Sequence, residues 1–457
     1  MLTKKEKEIK VVNFLKSKKQ EHLLDSWDTF NKNEKNQFIN QVESIKKNSL
    51  NENFSKKKNK KKISDLHPIK NYTQAKDFHS LLGEDILKES KVMCVCLAAG
   101  MGSRLQFDKP KGMFPIAPFS KKTFFEIFCN RVKACEQKYN SKKLYIAFMV
   151  SENNLEDILN YFKKNNFFSL KKDQVIFFTQ NNLPFYDKNQ KWFFEDFSKI
   201  ATGPDGNAGF FNSFYEKIYK FAKMKKIDYV NIIPVDNPIA DPFDEKLLSF
   251  HKKNNLEVTI KCSKRKTLLK KFGLLAMHKG KISVVEYFLA NEKMVYEKNK
   301  SNDFVYNLVN TGMFCFSMNF IEKVAKNISK IPLYEVKKNI KKYSGFSKKQ
   351  KEVKAFKYER LIFDSFEFAK KTKILVYEKE MSFIALKRKL GKNGIDTIKK
   401  AFLKYNRLIL GKIMRKKIKS DKKFELTASF YYPTEKLLKK WENIKEIKIP
   451  KSKTIND

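Results

Sequence analysis

The sequence predicts an α/β protein, on three observations. Apolar runs of strand length at 92–97, 144–150, 175–178 and 229–235 alternate with stretches of helical periodicity. The first run passes directly into a loop with two glycines and several cations, LAAGMGSRLQFDKPKGM at 97–113. At 457 residues the chain is long enough to bury a large core in two or three domains. Strands separated by helices imply a mostly parallel sheet, whose ligands collect beyond the carboxyl ends of the strands. Gly100, Gln180, Asp236 and Asn310 each follow a strand-like run, so four motifs are expected on one rim.

Residues 1–88 read as a helical arm. Leu23, Leu24, Trp27 and Phe30 recur at helix spacing, as do Phe38, Val42 and Ile45. Residues 89–403 carry the alternation of strands and helices and form the expected central domain. Within it Thr123 and Glu126 make a capping box ahead of Phe124, Ile127, Phe128 and Val132. From about residue 401 the chain turns basic and helical. It then gives FELTASFYYP, read as a short strand pair, and a last helix near 434–441, so residues 404–457 are expected to form a small C-terminal domain.

The chain carries 96 Lys+Arg against 50 Asp+Glu, a formal charge of +46. The lysines are spread over the whole length, which favours a compositional bias over a nucleic-acid or membrane partner. One dense block, KKKNKKK at 56–62, lies where a linker is expected. A basic nucleic-acid-binding protein is the non-enzyme alternative. It predicts clustered cations with exposed aromatics and a salt-dependent gel shift. The six cysteines include no Cys-x-x-Cys pair, so free buried thiols are expected, with Cys94 and Cys96 on one face. The five histidines show no catalytic or metal spacing. The N-terminus, MLTKKEKEIK, lacks the apolar core of a signal peptide, and no apolar run is long enough to span a membrane. A soluble, cytoplasmic protein is expected.

The chemistry starts in the glycine loop. Glycines let a backbone pass close to a bulky anion and expose its N–H groups, and Arg104 and Lys111 add positive charge. A strand, a glycine loop and two fixed cations suit a nucleoside triphosphate. The loop is not a Walker loop, which needs Gly-Lys-Ser/Thr before a helix. Nor is it the dinucleotide fingerprint, whose third glycine is Leu105 here. In PVDNPIADP, Asp236 ends a strand-like run, and a carboxylate beside a triphosphate makes sense if Mg²⁺ lies between them. Gln180, in FFTQNNLPFYD, carries a carboxamide that offers both a donor and an acceptor. GPDGNAG at 203–209 marks a tight, specialised turn.

These motifs, in this order, resemble those of the UDP-sugar pyrophosphorylases, in the branch that acts on N-acetylhexosamine 1-phosphates. The loop is similar to L-A/S-G-G-x-G-T-R-L-G followed by P-K-G. Ala99 stands at a usual glycine, and Gln106 replaces the glycine after Arg-Leu. The N-terminal QEHLLDSW, the V-D-N around Asp236 and VVEYF at 284–288 are similar to that branch as well. The resemblance implies a Rossmann-like, glycosyltransferase-A-like nucleotidyltransferase sheet. It implies Arg104, Lys111 and Lys387 as catalytic cations. Leu97, Ala98, Ala99, Gly100, Gln180, Gly206, Asp236 and Lys357 would hold the nucleotide, with Gln180 on uracil and Lys357 on phosphate. Asn207, Glu286, Tyr287 and Asn310 would hold the sugar. Arg388 stands where the family has asparagine beside the distal lysine. The implied substrates are UTP and a hexosamine 1-phosphate, with Mg²⁺ or Mn²⁺. N-acetylglucosamine 1-phosphate is favoured, and glucose 1-phosphate is the alternative within the family.

Overall fold

The computed structural model describes residues 3–49, 65–268, 272–287, 289–344 and 349–457. The block at 56–62 lies outside the described residues. The chain divides into two compact units. The larger takes its described residues from 61–179, 213–326 and 365–457, the smaller from 1–60, 180–212 and 327–364. This differs from the three consecutive blocks 1–88, 89–403 and 404–457. The reason is the apolar face of the N-terminal arm. Phe38, Val42 and Ile45 share one core with Tyr186, Trp192 and Ile200, so later segments join the arm in the smaller unit.

In the smaller unit the described residues include helices Lys4–Ser17 and Lys32–Ser49 and three two-stranded antiparallel pairings. The longest pairs Leu333–Ser344 with Lys349–Arg360. The pair Asn182–Pro184 and Thr202–Pro204 brackets the start of the GPDGNAG turn.

The larger unit is built on a sheet of eleven strands among the described residues. Its main path runs Thr73–Gln74, Thr372–Tyr377, Val258–Lys264, Leu308–Ser317, Tyr229–Pro234, Val92–Leu97, Tyr145–Val150 and Val175–Thr179. Val92–Leu97 is parallel to both neighbours and buried almost throughout, which is why it reads as an unbroken apolar run. Cys94 and Cys96 share one core face, and all six cysteines are free and buried. Helix Phe124–Tyr139 starts at Thr123, whose hydroxyl accepts the Glu126 N–H at 3.3 Å.

Three details differ from the expectation. Residues 65–88 are not all helical, because Leu66–His67 and Thr73–Gln74 are short strands of the large sheet. Leu308–Ser317 runs antiparallel to Tyr229–Pro234 and to Val258–Lys264. Asn310 therefore lies near the start of a strand instead of after one. Reversal brings it to the expected rim all the same, opposite Cys262 near the carboxyl end of Val258–Lys264. FELTASFYYP is not a strand pair. Glu425–Leu426 pairs with Thr454–Ile455, and Ala428–Tyr431 is a 3-10 turn. Its aromatic residues are spent on packing: Phe430 belongs to a small core with Leu410, Phe424, Leu437 and Trp441. The Tyr432 hydroxyl donates to the half-buried Asp241 carboxylate. The last helix, Glu435–Glu442, is capped by Thr434. No described helix is long and apolar enough to cross a membrane.

Candidate active site

The glycine loop leaves the end of Val92–Leu97 and folds back on itself. The Ala98 N–H donates to Met149 O at 2.8 Å, and Asn154 Nδ2 donates to Ala99 O at 3.3 Å. Gly100 O accepts the Lys111 N–H at 3.2 Å, and the Gly102 N–H donates to Lys109 O at 3.1 Å. Two glycines here are forced by packing. A Cβ on Gly102 would come within 2.7 Å of Phe107 O, and one on Gly112 within 2.1 Å of the Phe125 ring. Gly100 is different: an added Cβ would meet nothing within 4 Å, so the backbone there faces open space. Gln106 adopts φ 55°, ψ 48°, the left-handed region that a glycine would occupy without strain.

Asp236 lies just past the end of Tyr229–Pro234, the parallel neighbour of the loop-bearing strand. Its Oδ2 accepts from Lys387 Nζ at 2.7 Å and Lys111 Nζ at 3.2 Å. Lys111 Nζ also donates to Leu386 O at 2.7 Å, and the Leu386 N–H donates to Asp236 O at 2.9 Å. The segment before Lys387 is thus tied to Asp236 by main chain and side chain together. Asn237, fully buried, adds two more ties: Nδ2 donates to Ser382 O at 2.8 Å, and Oδ1 accepts the Ile384 N–H at 3.1 Å. Burial alone would raise the Asp236 carboxyl, but Lys387 and Lys111 outweigh it and hold it at about 2. Burial also pulls the Lys111 ammonium below the usual lysine range, against the attraction of Asp236. Two ammonium groups on one carboxylate leave a net positive site, and the exposed Arg104 side chain stands on the same loop.

In the smaller unit, Gln180 is buried and its Nε2 donates to Asp205 Oδ1 at 3.0 Å and to Gly206 O. Gly206 has φ 94°, and a Cβ there would strike the Arg360 backbone at 2.2 Å, so this position admits only glycine. Asn207 is exposed, with Oδ1 accepting the Ile362 N–H at 2.8 Å. Lys357 is fully enclosed. Its Nζ donates to Pro204 O and pairs with Glu359 at 2.8 Å, so it would have to leave both to reach a phosphate.

At the rim of the large sheet the structure brings Glu286 and Asn310 to one residue. The Asn310 N–H donates to Gly273 O at 2.9 Å, while a Cβ on Gly273 would lie 3.1 Å from Glu286 Oε1. Asn310 Oδ1 accepts the Gly312 N–H at 3.0 Å. Tyr287, next to Glu286, is exposed. Sequence reasoning assigned no role to Asp205 or Asn237. Both stood inside quoted motifs, but their partners lie far along the chain or depend on the folded turn.

A mostly parallel sheet, a glycine loop open at Gly100 and a lysine–carboxylate–lysine cluster belong to an α/β protein of the nucleotidyltransferase kind. The chain belongs to the UTP–glucose-1-phosphate uridylyltransferase family, which it matches over residues 28–360. It is 26% identical over 405 residues to a Dictyostelium discoideum protein assigned as a UDP-N-acetylglucosamine pyrophosphorylase, covering 83% of each chain. The crystal structure of an Entamoeba histolytica protein with the same assignment superposes with a TM-score of 0.72 at 25% identity, covering 86% of this chain and 98% of that one. The uridine diphosphate N-acetylglucosamine pyrophosphorylase of Trypanosoma brucei shares the fold, with a TM-score of 0.80 at 17% identity over 100% of this chain and 98% of that one.

Proposed function

We propose that this chain makes UDP-N-acetylglucosamine and pyrophosphate from UTP and N-acetylglucosamine 1-phosphate. The observation that carries the reading is the Asp236 carboxylate held between Lys111 and Lys387 on the rim of the large, mostly parallel sheet. Family membership and the names of the similar proteins support it. A phosphate oxygen of the sugar 1-phosphate attacks the α-phosphorus of UTP in line. The bond from that phosphorus to the bridging oxygen breaks, and pyrophosphate leaves with the electron pair. The protein's work is positioning and charge compensation. Lys111 and Arg104 offset charge on the transferring phosphate, and Lys387 offsets charge on the leaving group. Leu97 to Gly100 bring their backbone to the nucleotide.

Gln180 reads uracil through its carbonyl oxygen, since both hydrogens of its amide nitrogen are engaged by protein acceptors. Gly206 passes its backbone close to the base. Glu286 and Asn310, with Tyr287 and Asn207, take the sugar. Asp236 fits a hard cation: its Oδ1 is buried and has no hydrogen-bond partner among the described residues. Magnesium or manganese held there would offset phosphate charge, with the protein offering it a single carboxylate. The six buried free thiols suit a reducing compartment, and we place the chain in the cytoplasm.

Pyrophosphate release from UTP, measured with N-acetylglucosamine, N-acetylgalactosamine and glucose 1-phosphates, tests the reading. N-acetylglucosamine 1-phosphate should give the highest kcat/KM. A higher value for glucose 1-phosphate would overturn the sugar while leaving uridylyl transfer standing. No release with any of them, together with tight single-stranded nucleic-acid binding, would overturn both.

A further inference from the structure

We propose that Asp205 is a specificity-positioning residue: its carboxylate decides which end of the Gln180 amide faces the nucleobase, and so selects uracil over cytosine. The inference rests on the reading of Gln180 as the base contact.

A primary amide has one acceptor end and one donor end, and the two have nearly the same shape. Nothing in Gln180 itself favours either orientation. Its surroundings do. Nε2 donates to Asp205 Oδ1 at 3.0 Å and to Gly206 O. Both partners are bare acceptors, so a flipped amide would set its carbonyl oxygen against two oxygens in a buried place. The orientation with Oε1 toward the ligand is therefore locked. Uracil presents an N–H at N3, which needs an acceptor. Cytosine presents a lone pair at N3, which an acceptor repels and leaves unpaired.

Asp205 is itself held in place. Its N–H donates to Asn181 O at 3.0 Å, and its carbonyl accepts the Arg360 N–H at 2.8 Å. The last glycine of GPDGNAG makes room for the side chain: a Cβ on Gly209 would lie 2.0 Å from Asp205 Oδ1. A plain turn would not require a glycine at that point. A buried carboxylate with a glycine cut to fit it, bonded to the one amide that faces the base, is built for orientation.

The test is the ratio of kcat/KM for UTP to that for CTP. In Asp205→Asn the new amide can donate as well as accept, so a flipped Gln180 would oppose only Gly206 O and the donor end is presented more often. The ratio should fall at least about tenfold, mainly through a gain for CTP. Gln180→Ala is run beside it. A wild-type ratio in Asp205→Asn with a collapsed ratio in Gln180→Ala overturns the role of Asp205 and leaves the reading of Gln180 intact. A wild-type ratio in Gln180→Ala overturns the reading of Gln180.

The wild-type enzyme supplies a second measurement that needs no variant to fold. Burial pushes the Asp205 carboxyl up to about 6, against the pull of Gln180, Arg360 and Lys357. Arg360 and Lys357 are the charged groups facing it, Lys357 being paired with Glu359. Protonation gives Asp205 a hydrogen to donate and weakens the lock, leaving Gly206 O alone to hold it. The ratio should then fall as pH drops from about 7.5 to about 5.5, while phosphate ionisation, common to UTP and CTP, cancels. A flat ratio overturns the proposal.

Discussion

Lys387 Nζ lies 2.7 Å from Asp236 Oδ2, across 151 residues of sequence. Lys111 approaches the same oxygen at 3.2 Å, so one carboxylate gathers two cations from opposite parts of the chain. Lys387 is about half exposed and can turn toward a bound phosphate, whereas Lys111 is largely buried and fixed.

Lys111→Ala should therefore fold and lose turnover by about 10²–10³, as should Arg104→Ala, since each removes a preorganised charge from the transferring phosphate. Steady-state pyrophosphate release on purified, folded variants checks this. Near wild-type turnover would remove the residue concerned from the catalytic set.

The same cluster sets an acid limit on stability. Asp236 stays ionised in the folded chain down to about 2, below its ordinary value of 3.8. Above about pH 5 the folded and unfolded states are both ionised, and the stabilisation is fully present. Below that, the unfolded chain takes up a proton that the folded chain refuses, and stability falls. The span corresponds to roughly 2 kcal/mol. In chemical denaturation, the stability gap between wild type and Asp236→Asn should narrow as pH falls from about 5 to about 3. A constant gap would contradict the depressed carboxyl.

Gln106→Gly should stabilise the loop. The left-handed conformation costs a non-glycine residue about 1–2 kcal/mol, and the added freedom of glycine in the unfolded chain returns about 0.5–1. The Gln106–Lys389 contact is exposed and adds little. A net gain of up to about 1 kcal/mol is expected, read as a higher Tm with kcat unchanged.

Glu286→Ala should raise KM for the sugar 1-phosphate far more than KM for UTP. Loss of a charged hydrogen bond costs roughly 1.5–3 kcal/mol. Parallel increases in both constants would show that Glu286 holds the rim around Gly273 and does not bind sugar.

The parts of this molecule that could be read in advance are local. The end of the strand at Leu97, the loop to Met113 and the carboxylate at Asp236 depend on short runs of residues, and they stand where the pattern suggests. The reversed direction of Leu308–Ser317 could not be read, because direction is decided by pairing with Tyr229–Pro234 and Val258–Lys264. The resemblance implies Lys357 as a phosphate contact, yet the side chain is enclosed. Its burial follows from the hairpin that carries it and from Pro204, 153 residues earlier. Asp205 was visible as a turn residue, but its bond to Gln180 exists only once the turn has closed.

Tyr432 closes over Asp241 from a segment that begins beyond the exposed lysines 416, 417, 419 and 423. Trypsin cutting among those lysines would leave two fragments still joined through Leu410, Phe430 and Trp441, and a nicked sample would behave as whole until denatured. A premature stop at the same place is a different lesion. It would uncover Phe402 and Tyr405 together with a carboxyl group whose hydroxyl partner is gone. Such a truncation would be lost to aggregation or to quality-control degradation before its chemistry could be assayed, although every residue assigned here to UTP or sugar precedes the break.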